Sequence, residues 1–140
     1  MQLAEVQFFA FDLPVAAASS PMGDYHKLQV WQKSIDLVTE VYSSTRVFPD
    51  DEVFGLRLQM RRAAVSVCSN IAEGQGRFTA KDYRNFIVHA RGSLLELETQ
   101  VVICERLRYI AVERCNSLKS RTREVGKMLN GLLKYLTSEA

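Results

Sequence analysis

From residue 29 onward the apolar residues recur every three or four positions, in four separate runs. That period is the period of a helix with one buried face, and it limits the chain to helix-on-helix packing. The first run spans Gln29 to Val47, with Trp31, Ile35, Val38, Val41 or Tyr42, and Thr45 in phase, and Pro49 ends it. The second spans Asp51 to Glu73, with Val53, Leu56, Met60, Ala64, Val67 and Ile71 in phase. Phe54, Val65, Cys68 and Ala72 widen that stripe past half the circumference, which predicts a largely buried helix. Asp50, Asp51 and Glu52 sit where a first helical turn favours negative charge. The third run spans Ala80 to Arg108 through Phe86, Ala90, Leu94, Leu97, Val101 and Cys104. Thr79 is its predicted N-cap, and Asp82, three residues on, makes a variant capping box. The fourth spans Glu113 to Leu136 through Leu118, Val125, Leu129, Leu132 and Leu136. No segment alternates as a strand would. Short links between long helices make neighbours antiparallel, so the predicted fold is all-α, an antiparallel up-and-down four-helix bundle.

At 140 residues the chain suits one domain, placed at 24–137. Residues 1–22 read as an N-terminal extension outside the core. They contain an apolar stretch, but they lack a basic start and carry Glu5 and Asp12, unlike a signal peptide. No apolar run approaches the roughly 18–20 residues that span a bilayer. Net charge is only +2, but it is unevenly placed. Residues 1–56 carry 8 acidic and 3 basic side chains, and residues 57–91 carry 7 basic and 2 acidic. Residues 92–140 carry 8 basic and 6 acidic. A basic middle offers a positive surface to an acidic partner. Cys68, Cys104 and Cys115 are odd in number with no close pair, which points to a reducing, cytoplasmic setting.

Catalytic chemistry finds little support. His26 and His89 are the only histidines, and neither belongs to a Glu-x-x-His pattern. Glu96 and Glu98, two apart, point to different sides of a helix. No metal site and no cofactor are expected. Ser66, Ser69 and Ser93 have no local histidine, and Cys68 lies in an apolar stripe that leaves a thiol inert. The Gly74-Gln75-Gly76 stretch matches neither a dinucleotide fingerprint nor a P-loop. Gly74 reads instead as a helix stop in the left-handed conformation, with Arg77 left over at the turn. Along the second helix Gln59, Arg62, Ser66, Ser69, Asn70 and Glu73 share one arc of roughly 100°. Serine and asparagine there suggest hydrogen bonds to another helix or subunit. Arg61 falls outside that arc, and Glu96 or Glu98 of the third helix is its expected partner.

Four stretches carry a family resemblance: Leu28-x-Val30-Trp31, Gln59-x-x-Arg62-Ala63-x-x-Ser66, Asn70-Ile71-Ala72-Glu73-Gly74 and Gly92-Ser93-x-x-Glu96-Leu97-Glu98. From about Tyr25 to Leu136 the chain resembles the bacterial four-helix-bundle proteins often encoded inside intervening sequences of large-subunit ribosomal RNA genes. That family also includes accessory proteins of diversity-generating retroelements. The resemblance implies a ring-like homopentamer and no catalytic residues. Retroelement members bind nucleic acid and a reverse transcriptase through a basic surface.

Two functional expectations follow. One is a non-enzymatic, homo-oligomeric accessory factor for RNA or DNA, with phosphate contacts from Arg62, Arg77, Lys81, Arg84 and Arg91. The other is a protein–protein scaffold in which the arginines pair within and between subunits. In either, Gln59, Arg61, Ser66, Asn70, Glu73, Gly74, Glu96 and Glu98 form a structural or subunit-contact motif. An enzyme would need a deep polar cavity with perturbed titratable groups.

Overall fold

The computed structural model describes residues 24–139, so the expected extension at 1–22 lies outside the described residues. Four helices make the fold: α1 (Gln29–Thr45), α2 (Leu56–Gln75), α3 (Ala80–Arg106) and α4 (Val112–Glu139). Each packs on its neighbours in the chain, and α1 closes the bundle against α4. Among the described residues there is no strand. The predicted all-α four-helix bundle is the fold observed.

The buried positions follow a heptad. On α3 they are Tyr83, Ile87, Ala90, Leu94, Leu97, Val101 and Cys104, alternating steps of four and three, with Gln100 buried beside the seam. On α4 they are Cys115, Leu118, Thr122, Val125, Leu129, Leu132 and Leu136. A repeat averaging 3.5 residues keeps one seam facing the partner along the whole helix, the geometry of coiled-coil packing. The expected stripe of α4 is wholly buried. On α1 the buried set is Val30, Ser34, Leu37, Val41, Ser44 and Thr45. Trp31, Ile35 and Val38 are therefore half-buried flank, about 100° from the seam. Their larger side chains misled the sequence reading, because small serines occupy seam positions. Ser34 Oγ donates to the Trp31 carbonyl at 2.6 Å, which satisfies a hydroxyl that burial would otherwise penalise.

Helix boundaries shift where capping differs from expectation. Asp50–Glu52 forms a separate 3-10 turn, and α2 starts only at Leu56. Glu52 acts across that break: its Oε1 accepts from the Leu56 amide at 2.9 Å and its Oε2 from the Tyr109 hydroxyl at 2.7 Å. Thr79 caps α3 as predicted, its Oγ1 accepting from the Asp82 amide at 3.1 Å. α3 ends at Arg106, and Arg108 takes φ 58°. There the Tyr109 amide donates to the Cys104 carbonyl at 3.0 Å, closing a Schellman-type turn.

Gly74 does not end its helix. It lies inside α2, is buried, and no described glycine has positive φ. A Cβ there would lie 2.9 Å from Phe86 Cβ and 3.2 Å from the Tyr83 carbonyl oxygen. Gly74 is required because α3 crosses α2 against its backbone. The helix stops at Gln75, one residue later, and Gly76 caps it with φ −80° and ψ 0°.

A candidate nucleic-acid interface on the α3/α4 face

The polar arc of α2 divides in two. Ser66 Oγ meets Ser93 Oγ at 2.8 Å, bridging α2 to α3. Asn70 Nδ2 donates to the Ser66 carbonyl at 2.8 Å and to Ser66 Oγ at 3.1 Å. Gln59, Arg62, Ser69 and Glu73 are exposed. On α3, Gln100 is buried and donates from Nε2 to Glu96 Oε2 at 3.3 Å, while its Oε1 has no partner among the described residues.

The expected pairing of Arg61 with Glu96 or Glu98 does not form. Arg61 turns to α1: its Nε donates to Thr45 Oγ1 at 2.9 Å and its Nη2 to the Tyr42 carbonyl at 3.3 Å. Its guanidinium also lies 4.4 Å from the centre of the Tyr42 ring. Position 61 lies on the α1 side of α2, whereas Ser66 and Gly74 mark the α3 side.

The five expected phosphate contacts do not converge. Arg62 is exposed on α2 beside a shallow cleft of about 470 Å³ shared with Tyr42, Arg61 and Val65. Arg77 lies 4.4 Å over the Phe86 ring, and Lys81 is exposed on the outside of α3. Only Arg84 and Arg91 share a face. Arg84 Nε donates to Thr137 Oγ1 at 2.8 Å, and Arg91 Nε donates to Asn130 Oδ1 at 2.9 Å. Both partners belong to α4, and both pairs repeat every seven residues, so one antiparallel register serves both.

This face has cations that the sequence reading passed over. Arg123, Lys127 and Lys134 are exposed on α4. At 100° per residue they fall within roughly 40° of one another, opposite the Val125–Leu129 seam. They span about 16 Å along the axis. Lys33 of α1 joins from the other flank, 3.6 Å from Glu124, in a cleft of about 580 Å³ that includes Arg123 and Lys127. Between α3 and α4 a smaller cavity of about 200 Å³ is lined by Arg91, Leu94, Leu95, Glu98, Arg123, Gly126, Lys127 and Asn130. The regional charge count hid this ridge because five glutamates precede or interrupt it in sequence. A helical wheel of the fourth run was the signal that could have shown it.

Burial disfavours the thiolate at all three cysteines. Burial pushes the Cys68 thiol up and the Cys104 thiol up to about 12. Cys115 is also raised, first by burial and then by Glu105. Among the described residues no three His, Cys, Asp or Glu side chains are grouped to hold a metal ion. No described helix is long and apolar enough to cross a membrane.

The fold and this cationic face define a class: a heptad-packed, up-and-down bundle that presents arginine and lysine from two adjacent helices. The comparisons place it further. The model of the 23S rRNA-intervening sequence protein family matches residues 26–131, and the chain belongs to that family. A crystal structure from Bacteroides thetaiotaomicron, of a protein of unknown function from the S23 ribosomal protein family, superposes with a TM-score of 0.68. It is 23% identical, and the match covers 75% of this chain and 98% of that one. At that identity it shows the shared fold. No curated protein matches the chain.

Proposed function

We propose that this protein is a non-enzymatic, homo-oligomeric accessory factor that binds the phosphates of RNA or DNA in the cytoplasm, through the α3/α4 face. The observation that carries the proposal is the grouping of Arg84, Arg91, Arg123, Lys127 and Lys134 on two adjacent helices. Arg84 and Arg91 are held through Nε only, so no hydrogen bond within the described residues uses their terminal amino groups. A guanidinium fixed in this way loses less side-chain entropy when it meets a phosphate. Phosphate binding of this kind is independent of sequence and weakens as salt displaces it, with a slope of roughly 0.7 per contact for single strands. Fluorescence anisotropy with labelled RNA and DNA, at two salt concentrations, tests the proposal. Reversing Arg123 and Lys127 to glutamate should lower affinity by about tenfold or more and flatten the salt dependence. No binding at low salt removes the proposal.

A second reading, a protein–protein scaffold, has its own support. The outer side of α3 carries Val88, Gly92, Leu95, Thr99 and Val102, again in steps of four and three, with no cover from the described residues. Val88, Leu95 and Val102 are 44%, 47% and 41% exposed. A helix apolar on two opposite sides calls for a second partner. A further copy of the chain, in the homopentamer that the family resemblance implies, is the occupant we propose. A reverse transcriptase encoded nearby is a further candidate partner, and a pull-down with and without nuclease separates protein-mediated from nucleic-acid-mediated capture.

A further inference from the structure

We infer that the cavity between α3 and α4 is a seat for one unpaired nucleobase, so that the ligand of the cationic face is single-stranded nucleic acid. This inference rests on the proposed phosphate-binding role of that face.

The cavity has an apolar floor and a charged rim. Leu94 and Gly126 form the floor, and Arg91, Arg123 and Lys127 stand around it. Gly126 is the opening. It sits inside a 28-residue helix, where glycine is unfavourable relative to alanine. A Cβ there would meet only Leu94 Cδ2, at 3.4 Å, so packing within the chain barely restricts it. What a side chain at 126 would fill is the cavity itself. Proteins that hold single strands pair a basic groove for the backbone with an apolar platform for the bases, commonly aromatic. Here the leucine methyls of Leu94 and Leu95 would be that platform, with arginine and lysine beside it for the phosphates.

The polar groups are arranged for a base edge. Arg91 Nε donates to Asn130 Oδ1 at 2.9 Å, which occupies the amide oxygen and leaves Nδ2 as a donor. Glu98 supplies an acceptor from the α3 side of the cavity, one heptad along from the Arg91–Asn130 pair. An unpaired base carries both donors and acceptors on its exposed edges. A carboxylate amid phosphate-binding cations would only weaken a purely electrostatic site, whereas opposite a base amino group it has a partner. In a duplex the base face is stacked and out of reach of such a floor.

The test measures binding of the full chain to three probes: a labelled unstructured ten-nucleotide RNA, a duplex of equal length, and a mononucleotide. The single strand should bind at least about tenfold more tightly than the duplex at matched salt. Gly126→Leu should remove that preference while leaving duplex affinity and its salt slope unchanged. Gly126→Ala, compatible with the helix, should shift it in the same direction if the larger variant fails to fold. Glu98→Gln should weaken the single strand without weakening the duplex. Equal binding of strand and duplex, unmoved by either Gly126 variant, overturns the inference but leaves phosphate binding intact. Loss of all binding on charge reversal, with no effect at Gly126, has the same meaning. A mononucleotide that binds as tightly as the strand supports the seat and assigns it to free nucleotides. Absence of binding to every probe removes the phosphate-binding proposal as well.

Discussion

Gly74 shows how a single missing carbon sets the distance between two helices. Its neighbours across the interface include the Tyr83 carbonyl, which is backbone and cannot rotate away. Gly74→Ala should therefore cost about 1–3 kcal/mol, the range for overpacking, despite alanine's better helix propensity. Thermal unfolding of the variant should show a transition several degrees lower. Arg108 is the opposite case. It holds a left-handed backbone, φ 58°, that an L side chain adopts at a cost of roughly 1–2 kcal/mol. Arg108→Gly should raise stability by about 1 kcal/mol, measured by urea midpoint at unchanged slope.

At the scale of elements, Ser66 and Ser93 join α2 to α3 through their hydroxyls, and Ser66 Oγ also accepts from Asn70. Removing Ser93 thus leaves Ser66 one partner, while removing Ser66 takes from Ser93 the bond between the helices. A double-mutant cycle of Ser66→Ala and Ser93→Ala should give a coupling of about 0.5–1.5 kcal/mol. The loop end of the bundle depends on Glu52. Hydrogen bonds from the Leu56 amide and the Tyr109 hydroxyl hold its carboxyl below the ordinary value of 4.5. A carboxyl depressed on folding stabilises above its unfolded value and loses that contribution as pH falls through the folded one. The melting difference between wild type and Glu52→Gln should thus be present at pH 7 and shrink toward pH 3.

These elements also show what a sequence can reveal. Four periodic runs were enough to read the helices, their order and the cap at Thr79, because those features depend on residues close in the chain. The phase of α1 was not readable, since buried serines look polar until their hydrogen bonds are seen. The role of Gly74 was missed for a related reason: a glycine that ends a helix and one that admits a neighbour look alike in one dimension. The partner of Arg61 was likewise hidden, because position 61 faces α1 only once the bundle has closed. The α4 ridge was legible on a wheel but obscured by a regional charge count.

For the whole molecule, α3 matters most, because it is lined with apolar residues on two sides. Among the described residues the inner seam is filled, and the outer one, centred on Leu95, is left exposed. Leu95→Arg should leave the circular dichroism of the bundle unchanged and shift sedimentation to the monomer. A wild-type chain that is already monomeric at high concentration overturns the proposed self-association.

The order of packing also bears on how the chain is made. α2 and α3 are consecutive, and the interface between them is the most extensive in the bundle. That hairpin is complete once about residue 106 has emerged from the ribosome. α1, in contrast, packs on α4 as well as α2, and α4 follows the other three helices in the chain. Until α4 emerges, the nascent protein has a hairpin whose inner seam is still waiting for Leu118, Leu129 and Leu136. A pause in translation before α4 emerges would expose apolar surface on both sides of α3 at once, the kind of surface that makes partly folded chains prone to aggregate.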